Sequence, residues 1–211
     1  IFKRDKSLIW PRGLPLTEIV KKKKFQFVTK TNKCYVQQGL CNLNPDVDAI
    51  YRLINDKINI KFKDNLKIGI SNNSITAFNS QNTTWFKKAF PLLYLPSTCS
   101  MRATDIWRSI IAQVILFNDG KDIMFHSSNV YQKRNPHILM KDFKEEIPVY
   151  LDVDAIYQTL KTIKLKKGFN NYLSNLVKCY KQLCKQGYLL KEEIILVNAW
   201  KKDIQKLFKT T

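Results

Sequence analysis

No apolar run in the chain approaches the roughly 20 residues that cross a bilayer, and no signal-peptide pattern is present. Histidine is scarce: His126 and His137 stand alone among 211 residues, without assured acidic partners, which gives little support to a histidine-built metal centre. Five cysteines (Cys34, Cys41, Cys99, Cys179, Cys184) contain no CxxC pair and no zinc-ligand spacing, and their odd number does not support a disulfide framework. They read as free or buried thiols. A starting methionine is also missing, so an excerpt from a longer protein is expected, with any targeting or anchoring segment upstream of Ile1.

Acidic residues are outnumbered. Thirty-six Lys and Arg against 17 Asp and Glu give a net charge of +19, which raises nucleic acid as a partner. Only six of those cations are arginine (Arg4, Arg12, Arg52, Arg102, Arg108, Arg134), and the lysines are spread along the chain beside abundant Asn and Ile. That is the composition an A/T-rich coding bias produces. The charge therefore reads as a solvated basic surface, not a nucleic-acid footprint, and stays compatible with anionic sugar nucleotides or membrane surfaces. A hydrophobic fraction of 45% argues against disorder, and the length suits one domain with a small extension.

Pattern gives an α/β reading. Ile9–Pro15 is too rich in Pro and Gly for a helix and reads as an extended entry, with a short strand or helical turn over Leu16–Val20. Strands are expected at Phe25–Val28, Cys34–Leu40, Ile58–Phe62, Leu66–Ile70, Ile123–Phe125 and Asn129–Tyr131, the last two flanking a loop. Asn44-Pro45-Asp46 announces a helix carrying Val47, Ile50, Tyr51 and Ile54. Thr83–Phe90 suits a short amphipathic helix stopped by Pro91. The strongest helix follows Thr104 or Asp105, with Ile106, Trp107, Ile110, Ile111, Val114 and Ile115 on its apolar face and Asn118-Asp119-Gly120 ending it. Lys-rich helices follow, over about Val153–Ile163, Asn170–Lys185 and Lys191–Phe208. The segment DVDAIY occurs twice, at Asp46–Tyr51 and Asp152–Tyr157, and both copies are expected to set Asp at a helix N-terminus. Neither follows an apolar strand as a metal-binding DxD does.

The run from Phe78 to Tyr150 concentrates Asn, Gln, Arg, Trp and His, residues that cost free energy to bury without partners. Such density suggests a site for something polar. Within it, FNSQNT (Phe78–Thr83), the LYLP segment around Tyr94, RATDIWRS (Arg102–Ser109) and V-Y-Q-x-R-N-x-H (Val130–His137) join WPRGLPL (Trp10–Leu16) and NPDVDAIYRL (Asn44–Leu53). Taken in chain order, from WPRGLPL onward, they resemble the STELLO glycosyltransferase-like family. The resemblance runs from Leu8 to Tyr150 and leaves out the lysine-rich tail. More distantly, the chain is similar to the reversibly glycosylated polypeptides, which act on UDP-sugars.

The resemblance implies the C-terminal, acceptor-side part of a GT-A-like glycosyltransferase fold over residues 1–150, followed by an α-helical extension over 151–211. It implies transfer from a nucleotide sugar (UDP-sugar) to a glycan acceptor in the Golgi, in a membrane-anchored protein, beside other glycan-synthesis proteins. A divalent metal, Mn or Mg, is implied for the whole protein; its acidic motif is expected upstream of WPRGLPL, so the nucleotide-binding half is expected to be missing here. The alternative is a non-catalytic scaffold of a Golgi polysaccharide-synthesis complex.

Asp105 is the candidate base by position, a helix-start carboxylate, or else a plain N-cap whose field makes it a weak base. Arg102 and Arg108 suit a phosphate or a carboxylate such as Asp105, with Arg102 the better placed for a ligand. Trp107 is either a sugar-stacking platform or core. Asn79, Gln81 and Asn82 either bind sugar hydroxyls or satisfy their own loop. Arg134 and Asn135 either serve the same pocket or brace it.

Overall fold

The computed structural model describes residues 8–21, 32–55, 59–72 and 74–209. The strand expected at Phe25–Val28 lies outside them. The fold is α/β. Among the described residues its sheet has four strands, β1 (Cys34–Leu43), β2 (Lys67–Ile70), β3 (Thr83–Trp85) and β4 (Asp122–Gln132), in the order β2-β4-β1-β3. β1 and β4 pair in parallel, while β3 and β2 close the two edges antiparallel.

Two expectations change here. Thr83-Thr84-Trp85 is a strand, not the start of a helix: β-branched and aromatic side chains pair against Gln38, Gln37 and Val36 of β1. A 3₁₀ turn over Lys87–Leu92, with Pro91 inside it, follows. β4 is one strand where two were expected. Its pairing with β1 jumps from Gly39↔His126 to Cys41↔Val130, so the supposed loop is an irregularity within a continuous strand. Ser128 there accepts the Asn42 amide proton at 3.0 Å.

Gly39 is required at this point by close approach. A Cβ on it would stand 2.2 Å from Asn82 Nδ2 and 2.8 Å from His126 Cε1. Its absence lets Asn82 cross β1 and donate to the Leu40 carbonyl at 3.1 Å.

The described residues also form five α-helices: α1 (Ala49–Ile54), α2 (Thr104–Asn118), α3 (Leu139–Lys161), α4 (Tyr172–Lys185) and α5 (Glu193–Lys209). α2 is central, touching β4, α3 and α4. Its apolar positions are buried as expected, but Asp105, Arg108, Ser109 and Gln113 are buried too. A helix surrounded in this way must find partners for its polar face inside the protein. α3 begins fourteen residues before the expected Val153, since the helix continues through Pro148. Proline removes a donor and disfavours helix at that point, which hid the earlier turns. The second DVDAIY copy therefore lies in the middle of α3, and Asp152 caps nothing. The first copy does cap: Asp48, not Asp46, precedes α1 and accepts from Tyr51 N at 2.7 Å.

One core cluster extends from Val36 through Trp107 and Ile156 to Val197, so residues on both sides of position 150 share it. A second, smaller cluster joins Trp10, Val47, Tyr51, Ile60 and Phe62. There Trp10 and Tyr51 meet edge to face, centroids 5.0 Å apart, and the Trp10 indole donates to Asp48 at 2.6 Å. This small cluster seats the WPRGLPL segment, and with it Arg12.

Candidate functional site

Gly13 has φ of +88°, and a Cβ there would lie 2.6 Å from the Ala77 Cβ. Glycine thus lets the entry segment press against the start of α2, and this brings Arg12 inside. The Arg12 guanidinium donates to both oxygens of Asp105 (2.9 and 3.1 Å), to both oxygens of Asp46 (3.1 and 2.7 Å) and to the Arg102 carbonyl. Burial alone would weaken the charge on Arg12, but Asp46 and Asp105 more than restore it.

Asp105 is consequently committed. Burial pushes its carboxyl upward, yet the Arg12 charge, the hydrogen bonds from Arg12 and the Ser80 amide, and nearby Arg108 hold it below the usual range. The N-cap of α2 is Ala103, and no side chain makes a cap bond there. Asp105 sits in the first turn and uses its oxygens for Arg12 and Ser80 instead.

Arg102 pairs with Glu146, which is fully buried on α3. Glu146 also accepts from the Ala49 amide at 2.8 Å and the Tyr150 hydroxyl at 2.6 Å, joining α1, α3 and the approach to α2. Burial, then the Glu146 hydrogen bond, pushes the Tyr150 phenol up. Arg134 donates to Asp142 at 2.6 Å, and His137 Nδ1 lies 3.2 Å from the same Asp142 oxygen.

These groups border an open cleft of about 580 Å³. One wall carries Arg12, Ser80, Arg102 and Asp105; the other carries His137, Lys141, Asp142 and Glu145. Met101 and Ile138, 80% and 73% exposed, form an apolar lip.

Of the residues singled out from sequence, Arg102 and Asp105 meet in this cleft, and Arg134 reaches its edge through Asp142. The amides do not join them. Asn79 Oδ1 accepts from Gln81 N at 2.9 Å; Gln81 Nε2 donates to Asn44 O at 3.0 Å and to Gln132; Asn82 holds Leu40 and Asn129. They brace the loop against β1 and β4, and Ser80 among them is the residue that lines the cleft. Trp107 is 1% exposed within the main core, which rules out a sugar platform in this fold. Arg108 stacks over Trp85 at 5.0 Å and donates to Ser80 Oγ at 2.9 Å. Asn135 is exposed and makes no side-chain hydrogen bond among the described residues.

Sequence reasoning gave no site role to Arg12, Asp142 or Glu146. An arginine set between Pro11 and Gly13 was the available signal, because a turn residue of that type fixes where its neighbour points. Among the described residues no group of three or more His, Cys, Asp or Glu could hold a metal ion. The carboxylates here are spent on guanidinium and amide partners, a donor set that does not fit Mn or Mg. No described helix is long and apolar enough to cross a membrane.

Residues 102–210, just over half of the chain, match the family described as STELLO glycosyltransferases. The match takes in the lysine-rich helices, so the tail is part of the family sequence and not an addition outside it. Over 203 residues the chain is 24% identical to "Probable glycosyltransferase STELLO2" and equally to "Probable glycosyltransferase STELLO1", both of Arabidopsis thaliana. Those alignments cover 93% of this chain but 26% of each relative's length. The chain belongs to the STELLO glycosyltransferase family.

Proposed function

We propose that this STELLO glycosyltransferase chain supplies the acceptor-side part of a GT-A-like site that transfers sugar from a UDP-sugar to a glycan acceptor. The observation that carries this reading is the convergence of Arg12, of Arg102 with Asp105, and of His137, from three separate segments, on one open cleft. A polar cleft with an apolar lip suits a sugar, whose hydroxyls need hydrogen bonds while its C–H face packs on Met101 and Ile138. Asp105 acts as the fixed charge that orients Arg12, since its committed oxygens and lowered affinity for protons make it a poor base. Arg102 gives the cleft positive charge toward an anionic donor.

The Golgi setting, the membrane anchor and neighbouring glycan-synthesis proteins belong to this reading, as does a divalent ion. Such an ion would be held outside this cleft, whose carboxylates are taken by guanidinium and amide partners.

One observation favours the scaffold reading: the helix-start carboxylate expected to be catalytic is locked in an ion pair. The experiment that separates the two readings uses full-length protein, a panel of UDP-hexoses and UDP-pentoses, and UDP release as the readout. Turnover that drops on Arg102→Ala supports transfer. No binding and no turnover with any donor leaves the scaffold.

A further inference from the structure

His137, between β4 and α3, and Asp142, in the first turn of α3, form a pair to which the proposed function gives no chemical role. His137 Nδ1 lies 3.2 Å from Asp142 Oδ2 and 3.4 Å from Oδ1, and Arg134 donates to that Oδ2 at 2.6 Å. The Asp142 side chain is 10% exposed and His137 38%. His137 lines the cleft, and its Nε2 has no partner among the described residues. The arrangement has a chemical consequence. A carboxylate beside Nδ1 favours the tautomer with the proton there, leaving the Nε2 lone pair free to accept another. The hydrogen bond from Arg134 fixes the orientation of the Asp142 carboxylate. The remaining charges around the ring are Lys141 and Glu145 on α3, and Arg12, Arg102 and Asp105 across the cleft.

We propose that His137, oriented by Asp142, is the base that takes the proton from the attacking hydroxyl. This rests on the glycosyl-transfer reading and adds a residue to it. The hydroxyl oxygen bonds to the anomeric carbon. The bond from that carbon to the diphosphate oxygen breaks, and its electron pair leaves with the nucleoside diphosphate. The hydroxyl proton moves to His137 Nε2, and the resulting imidazolium faces the Asp142 carboxylate before giving the proton to solvent. Asp142 is a positioning residue, and Asp105 takes no proton.

The test again uses full-length protein, with UDP-sugars as donors and UDP release as readout. His137→Gln is expected to lower kcat on the order of a hundredfold or more with donor KM changed less than about twofold. His137→Gly should recover part of the rate on adding imidazole, which a packing defect would not. Asp142→Asn should lower kcat with donor KM little changed, because the ring loses the carboxylate that fixes its tautomer. A further check is the ¹⁵N signal of the ring in this 211-residue chain carrying His126→Gln, where His137 is the remaining histidine. At about pH 8 it should report the Nδ1–H tautomer, and Asp142→Asn should mix the two forms. If wild type turns over while His137→Gln keeps its rate, the assignment of His137 falls and the transfer reading stands. If wild type turns over no donor, the transfer reading fails and this assignment with it.

Discussion

Arg12 and Asp105 stand 93 residues apart in the chain and meet as a two-pronged ion pair, Nη1 to Oδ1 at 2.9 Å and Nη2 to Oδ2 at 3.1 Å. The same guanidinium holds Asp46 at 2.7 Å, and the three side chains are 6 to 12% exposed. Removing the cation leaves two carboxylates buried and unpaired. Arg12→Met is therefore expected to cost about 3–5 kcal/mol in urea unfolding. Arg12→Lys should recover little, because a point charge cannot span both carboxylates. A loss below about 1 kcal/mol for Arg12→Met would mean that the pair contributes nothing the solvent cannot replace.

The acid limb of stability separates Asp105 from Asp48. Asp105 has its carboxyl held below the unfolded value, so its contribution is complete above about pH 4 and is lost as pH falls through the folded value. Asp48 shifts the other way: burial raises it, Glu146 and Asp46 add to the rise, and the Tyr51 amide and Trp10 indole offset part of it. The folded protein thus binds that proton more tightly than the unfolded chain, and acidification relieves a cost. Urea midpoints measured across the acid range should flatten in Asp105→Asn and steepen in Asp48→Asn. Parallel curves for both variants would contradict these signs.

Glu193, at the start of α5, is fully buried and ties the lysine-rich helices to the LYLP segment. It accepts from the Tyr94 hydroxyl, from Ser97 N at 3.0 Å, from Thr98 N at 2.8 Å and from Thr98 Oγ1 at 2.7 Å. Glutamine would turn an N–H₂ toward donors, so Glu193→Gln is expected to cost about 1–3 kcal/mol. Trp200 adds a bond from its indole to the Pro91 carbonyl at 3.0 Å, and Tyr180 meets Tyr94 edge to face. On these contacts a chain ending at residue 150 should fail to unfold cooperatively. A sharp thermal transition in that truncation would instead mark residues 151–211 as a separable extension.

Local pattern carried the sequence reading where one element decides its own state. α2 was legible because its apolar residues recur at the helical period, β1 because its short run lacks that period, and the free thiols because no pairing was spelled out. Thr83–Trp85 misled because three residues gain strand structure only from β1 lying beside them. α3 was cut short because its pattern was read only from Val153, whereas the helix starts at Leu139 and passes through Pro148. The cleft was half visible. Arg102 and Asp105 stand in one motif, but Arg12, Glu146 and Asp142 reach them through long-range contacts that no local spacing records. The Asn and Gln residues around them suggested sugar contacts from their chemistry alone, while their neighbours in space turned them to bracing the sheet.

Gly13 links that unseen geometry to a simple measurement. Its φ is +88°, and a Cβ would meet Ala77 Cβ at 2.6 Å and Ile106 Cγ2 at 2.9 Å. Gly120 has φ of +64° with open space where a Cβ would go. Alanine at Gly120 therefore carries the left-handed penalty alone, about 1 kcal/mol. Alanine at Gly13 carries that penalty and an overpacking cost of about 1–3 kcal/mol. The clash can be relieved only by lifting the entry segment, which draws Arg12 away from Asp105. Gly13→Ala and Arg12→Met should accordingly be non-additive, the second change costing less once the first has been made. Full additivity, or equal losses at Gly13 and Gly120, would show that the entry segment does not set the position of Arg12.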